Sequence, residues 1–275
     1  MLFVISPAKT LDFSPTPEGL PVTRPEMGAD TKALAAVARK LKAADLRRLM
    51  DISDPLAELN VERFKAFQPR GTAADVPAAF AFAGDVYNGL DARHMDTPAL
   101  EWAQDHLRIL SGLYGLLRPL DRIQPYRLEM GVRLATDRGA TLYDFWGDKL
   151  AKALNKAAAD HADKALINLA SQEYFGAVDA RALKLPVLAC AFKEEKDGET
   201  RIISFYAKHA RGLMARFAAE NRIEKREDLK AFDVSGYRYN AGLSSESEWV
   251  FARPQPEPKA ASRAHEEALK VEQGA

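Results

Sequence analysis

Apolar positions along the chain fall into short blocks that alternate between strand-like runs and helix-like stripes. Leu2–Ile5 is an unbroken apolar run and reads as an inner strand. Leu34, Val37, Ala38 and Leu41 recur at helical spacing, which predicts a helix over 31–41 with one buried face. Leu46, Leu49 and Met50 mark a short second helix. A third opens at Ser53-Asp54-Pro55, with Ser53 or Asp54 as its cap and Leu56, Leu59, Val61 and Phe64 as its apolar positions. Phe80 and Phe82 alternate in strand fashion, and Thr97 is placed to cap a helix starting at Pro98. Residues 108–111 form a strand ended by Gly112, 131–134 add a short one, and 142–146 lead into an amphipathic helix over 147–161. Residues 165–169 make a central strand, followed directly by a helix start. A β-hairpin joins 185–195 to 200–206 through Asp197-Gly198. A helix follows over 208–221, and 232–239 and 248–252 read as late edge strands.

These elements predict one α+β (mixed α/β) domain over 1–253, a central mixed β-sheet with hairpins surrounded by helices. No repeat or linker divides it. Pro15, Pro17, Pro21 and Pro25 make 13–28 an extended crossing segment. From Pro254 the chain is rich in Pro, Ala and charge without an apolar face, so 254–275 is expected to be a disordered tail.

An apolar fraction of 47% is that of a globular protein, and no run reaches the roughly 20 residues of a membrane span. The apolar start, Met1-Leu-Phe-Val-Ile, lacks a basic leader and a cleavage site. A single cysteine, Cys190 within an apolar strand, excludes an internal disulfide and suits a reducing cytoplasm. Thirty-nine basic and thirty-nine acidic residues cancel, but unevenly. Residues 75–105 hold six acids and one base, whereas Arg201, Lys208, Arg211 and Arg216 fall in a stretch without acids.

Histidines at 94, 106, 161, 209 and 265 have no spacing that brings two together locally, and with one cysteine they predict no metal site and no cofactor. Ser6-Pro-Ala-Lys-Thr10 follows a strand as a phosphate loop would, yet lacks the glycines that expose backbone N–H groups. No nucleophile elbow, kinase or dinucleotide signature is present, so no catalytic residue set is recognised. What remains is a set of cations and tyrosines at strand ends and loops: Lys9, Tyr87, Arg108, Tyr114, Arg118, Tyr126, Arg127, Tyr174, Lys208 and Arg211, with Arg216 further along the last helix. Phosphate neutralisation by Lys and Arg with aromatic stacking is the composition of a nucleic-acid or nucleotide cleft. The competing account pairs each arginine with nearby acids to tie down loops.

Residues 44–66 have the outline of a helix-hairpin-helix, with Arg47, Arg48, Asp51, Ile52 and Ser53 at the hairpin. Both glycine positions of that motif are filled, by Asp51 and Ser53, and a carboxylate at the first repels phosphate. Arg39, Lys40, Lys42, Arg47 and Arg48 can compensate. A purely structural helical hairpin is the other reading.

Several blocks resemble the YaaA family of peroxide-stress-resistance proteins. They are Ser6-Pro-Ala-Lys-Thr-Leu-Asp12, Gly84-Asp-Val-Tyr87, His106 to Gly115, Arg118-Pro-Leu-Asp121, Gln124-Pro-Tyr-Arg-Leu-Glu-Met-Gly131, Asn168 to Tyr174, and Ile203 to Met214. The similarity is collinear over about 1–253. It implies a cytoplasmic protein that limits hydrogen-peroxide damage in association with reduced free intracellular iron. It also implies a helix-hairpin-helix and a positive cleft that bind double-stranded DNA without sequence preference. The sequence leaves the oligomeric state open, a monomer being the favoured expectation. Ala83 stands where the family commonly carries a lysine before Gly84-Asp85. The alternative is an enzyme acting on a small phosphorylated or nucleoside-like ligand, with Lys9, Arg108, Glu129, Glu173 and Lys208 lining the cleft.

Overall fold

Leu2–Ile5 forms strand β1, and all four side chains are buried because parallel strands flank it on both sides. The computed structural model describes residues 1–257. The remaining strands of the main sheet are β2 (Leu107–Ser111), β3 (Gly115–Leu117), β4 (Leu166–Leu169), β5 (Val187–Lys196), β6 (Glu199–Arg201), β7 (Arg238–Tyr239) and β8 (Glu248–Pro254). Their order is β7-β8-β5-β4-β1-β2-β3, with β6 paired to β5. The inner five, β8 to β2, are parallel, and β3, β6 and β7 are antiparallel additions. Register places Phe3 between Leu107 and Ile167. Strand β5 alternates buried and half-exposed positions, as a strand covered on one face does.

Helices α1 (Gly28–Ala38), α2 (Ala43–Met50) and α3 (Asp54–Ala66) precede α4 (Asp85–Leu90) and α5 (Thr97–His106). After them come α6 (Leu142–Trp146), α7 (Lys149–Ala157), α8 (Gln172–Phe175) and α9 (Ser204–Glu220). Helix α9 crosses α4 where Gly89 and Gly212 face each other. A Cβ on Gly212 would lie 1.8 Å from the Val86 carbonyl oxygen, and one on Gly89 2.1 Å from that of His209. The domain is a single mixed α/β unit.

Several expectations need correcting. Phe80 sits in a helical turn, Ala78–Ala81, and only Phe82–Ala83 is extended, pairing with Thr10–Leu11. Aromatic alternation cannot separate a strand from one turn of buried helix. Asp96, not Thr97, caps α5 by accepting the Ala99 N–H at 2.8 Å. Residues 131–134 are irregular, and 204–206 already belong to α9. The helix expected over 147–161 is α7 alone, shorter at both ends, after α6 and Gly147. Strand β8 lies between β7 and β5 and is not an edge strand. It runs through Pro254, and Gln255 donates its N–H to Glu195, so the chain stays paired beyond the expected start of the tail. Residues 258–275 of that tail lie outside the described residues.

The fold also stacks two histidines that sequence spacing keeps apart. His106 and His161 lie 4.3 Å apart by ring centroid, each with Nδ1 2.9 Å from the Met1 carbonyl oxygen. Trp102 stacks on His106 at 4.1 Å, and Glu224 reaches His106 Nε2 at 3.5 Å. Burial lowers both imidazoles below their ordinary value. For His106 it outweighs the opposing pull of Glu224 and Asp105, and for His161 the His106 charge, the Met1 amino group and Arg108 push the same way. The folded protein therefore holds them neutral where the unfolded chain, with histidine near about 6.5, takes up protons. Stability is expected to fall as pH drops below that value. Urea midpoints of the wild type and His161→Gln between pH 7 and 5 check this: the variant should lose less on acidification, and equal losses would refute the assignment.

Candidate functional site

The chain leaves β1 to one side toward β2 and later enters the sheet on the other side of β1 as β4, so the carboxyl ends of β1 and β4 flank a topological switch point. Ser6, just past β1, and Ser171, just past β4, meet there. Ser171 donates its N–H to Ser6 Oγ at 2.9 Å, and the two hydroxyl oxygens lie 3.3 Å apart. Tyr87 on α4 donates its hydroxyl to the Ser6 carbonyl at 3.1 Å, tying the α4–α9 pair to this end of the sheet.

The ribbon 124–131 is laid across the end of β2. Tyr126 and Ser111 share a hydroxyl hydrogen bond of 2.6 Å, and Gly112 packs so closely under the Leu128 carbonyl that a Cβ there would stand 2.2 Å from it. The ribbon thereby delivers Glu129 to the switch point. Glu129 Oε1 accepts from Lys9 Nζ at 2.8 Å and from Arg127 Nη2 at 3.1 Å. Lys9 remains largely in solvent while Glu129 lies beneath it, 66% against 12% exposed. Arg127 Nε is buried with no hydrogen-bond partner among the described residues. Glu173, in the first turn of α8, accepts the Gly131 N–H at 3.0 Å. Burial raises the Tyr126 and Tyr174 phenols well above their ordinary value, so both remain protonated donors.

Helices α2 and α3 form a helical hairpin through Asp51-Ile52-Ser53, with Asp51 in the left-handed region at φ 49° and Ile52 buried. The α2 end of this hairpin and the carboxyl edge of the sheet enclose a cleft of about 780 Å³. Lys9, Arg48 and Arg133 line it together with Asp45, Asp51, Glu129 and Glu173, beside an apolar wall that includes Val37, Leu41 and Leu49. Three cations against four carboxylates leave the lining one charge negative.

The other candidate residues lie elsewhere. Arg108 donates to the carbonyls of Gln104, Asp105 and Leu107 at the carboxyl end of α5, half-covered. Arg118 clamps buried Asp121 through Nε and Nη2, with Glu26 3.3 Å away. Tyr114 is buried, its hydroxyl accepting the Gln124 N–H at 2.9 Å. Arg216 bridges Asp91 and Glu220. Arg47 pairs with Asp54 across the hairpin, Arg48 with Asp45, and Ser53 precedes α3 without a side-chain capping bond. Lys208 lies one turn into α9, whose start is tethered to the carboxyl end of β5 by the Ile203 N–H on Glu194. Neither Lys208 nor the more covered Arg211 makes an ion pair or hydrogen bond among the described residues. Of the residues expected in a small-ligand cleft, Lys9, Glu129 and Glu173 line it, and Arg108 and Lys208 do not. Sequence reasoning missed the Ser6–Ser171 contact, which only the strand order could disclose.

Cys190 is buried, and burial pushes its thiol up to about 12. Among the described residues no group of three or more His, Cys, Asp or Glu is placed to hold a metal ion, and no helix is long and apolar enough to cross a membrane.

The strand order, the switch-point cleft and the helical hairpin define a mixed α/β domain with a polar cleft at the carboxyl edge of its parallel strands. A family model described as peroxide stress protein YaaA matches residues 1–243, and the chain belongs to that family. A UPF0246 protein of Phenylobacterium zucineum is 64% identical over 267 residues, 97% of this chain and 100% of the relative. A UPF0246 protein of Caulobacter vibrioides is 63% identical, covering 93% of this chain and 100% of its own. One of Cereibacter sphaeroides is 59% identical, covering 92% and 99%.

Proposed function

We propose that this chain limits peroxide damage by binding double-stranded DNA along the carboxyl edge of its sheet, in association with reduced free intracellular iron. What supports the reading is that Lys9 after β1 and Arg48 of the hairpin line the cleft at this edge, while Lys208 lies exposed one turn into α9, whose start is tethered to the carboxyl end of β5. Lys208 is exposed and makes no ion pair or hydrogen bond among the described residues, and Lys9, although paired with Glu129 at 2.8 Å, is itself 66% exposed, so both ammonium groups are open to a phosphate from solvent. Binding of this kind reads no sequence, because it addresses the backbone.

Fluorescence anisotropy of a labelled random duplex across a salt series tests it. Affinity is expected to fall steeply with salt, and Lys9→Ala/Lys208→Ala to lower the log–log slope by roughly 2, about one per phosphate contact. No binding at low salt would overturn the reading. A second reading is favoured by the size of the cleft: a small phosphorylated or nucleoside-like ligand beside Lys9, Glu129 and Glu173. It predicts that binding to duplex is absent and that Glu173→Gln abolishes turnover or binding of that ligand.

A further inference from the structure

A second cavity, of about 380 Å³, opens at the amino end of α1, with Gly28 and Thr31 on its wall. The polar cleft contacts the same helix at Val37, nine residues on, which at 1.5 Å per residue is about 14 Å away. Arg24, Arg70, Arg122, Asp75, Phe67 and Tyr114 line the cavity. Its charge balance is the reverse of the cleft's, three cations against one carboxylate.

The loop that forms one wall is held by side chains, not by regular structure. Gln124 takes the Gln68 N–H on Oε1 and returns an Nε2–H to the Gln68 carbonyl, both at 2.8 Å. Arg122 donates to the carbonyls of Ala73 and Asp75 at 2.6–2.9 Å, and Asp75 Oδ1 accepts from Thr72 Oγ1 at 2.5 Å. These bonds satisfy the loop and leave three groups over. The guanidiniums of Arg24 and Arg70 have no ion pair or hydrogen bond among the described residues. The Tyr114 hydroxyl accepts from Gln124, but no described acceptor takes its own proton, although the residue is only 4% exposed. Because Tyr114 lines the cavity, that proton is available to a group entering it. Phe67 and Tyr114, tilted rings with centroids 6.1 Å apart, supply an apolar floor beside the cations.

We propose that this cavity binds a small phosphate monoester bearing a flat ring, of the size of a nucleoside monophosphate. The surplus of two positive charges matches the charge of a phosphate monoester near neutral pH, about −1.5 to −2. Arg24 and Arg70 supply the forked donors for its oxygens, the Tyr114 hydroxyl a third donor, and the ring lies toward Phe67 and Tyr114. The volume is that of a small-molecule site and excludes a duplex. The site goes beyond the DNA reading and stands independently of it.

Isothermal titration of the full chain with adenosine 5′-monophosphate, inorganic phosphate and adenosine tests the proposal. Saturable binding of the monophosphate is expected, at least tenfold weaker binding of inorganic phosphate, and none of adenosine. Arg24→Ala/Arg70→Ala should weaken the monophosphate at least tenfold with an unchanged circular-dichroism spectrum, since both side chains are exposed. Lys9→Ala, in the other cleft, should leave it unaffected. Absence of heat with the monophosphate, equal binding of inorganic phosphate, or a double variant that binds as the wild type does would each overturn the proposal.

Discussion

Gly212→Ala is expected to destabilise the protein by about 3 kcal/mol or more, at the top of the range for overpacking because the clash is with backbone. The added methyl would stand 1.8 Å from the Val86 carbonyl oxygen and 2.7 Å from the Leu90 nitrogen. A side chain in the way can change rotamer. A carbonyl inside a helical turn cannot move without the helix, so α4 and α9 must separate. The damage should reach the switch point, because α4 carries Tyr87 and its bond to Ser6. Urea unfolding of Gly212→Ala beside Gly28→Ala gives the check. A methyl added at Gly28 would meet nothing within 4 Å, so that variant should be near neutral. A loss for Gly212→Ala below about 1 kcal/mol would show that the two helices part easily and that the glycine pair does not set their distance.

Arg253→Ala should cost a comparable amount, about 3–5 kcal/mol, by stranding a buried carboxylate. Glu194 is fully buried near the end of β5 and accepts a 2.5 Å hydrogen bond from the Tyr237 hydroxyl. Its cation is Arg253 on β8, with Nε 3.5 Å from Oε1; the pair is Coulombic, for Nε lacks hydrogen-bond geometry. The guanidinium lies over the rings of Tyr237 and Tyr206, 4.3 and 4.9 Å from their centroids. Removing it leaves the charge in a site closed to water, and the Ile203 N–H that Glu194 holds at the start of α9 loosens with it. Glu194→Gln/Arg253→Met should recover most of the loss, since breaking such a pair costs more than replacing both partners. If the double variant is no more stable than Arg253→Ala, packing against the tyrosines, not charge, is what Arg253 supplies.

The charged residues differ in how far the sequence discloses their roles. The basic stretch with Lys208, Arg211 and Arg216 is plain in one dimension, but their roles diverge: Arg216 pairs with Asp91, more than a hundred residues earlier, while Lys208 has no ion pair among the described residues. Likewise Lys9, Arg127 and Glu129 are visible as charges, and only the ribbon's placement over β2 makes them one cluster. The two histidines at Met1 are likewise brought together only by the fold.

Local sequence determines where most of the elements are and what kind they are, because each is encoded within a few residues by an apolar run, a helical stripe or a turn signal. Membership in the peroxide stress family is legible in the same way, from contiguous blocks. The order of the strands, by contrast, comes from tertiary pairing alone. That order moves β8 into the sheet interior, opens the switch point between Ser6 and Ser171, and turns arginines that look alike in sequence into loop clamps, buried counter-ions or free cations. Local preference acts over one turn or one strand, whereas pairing and charge compensation join residues a hundred positions apart, and their energy exists only once the chain has closed on itself.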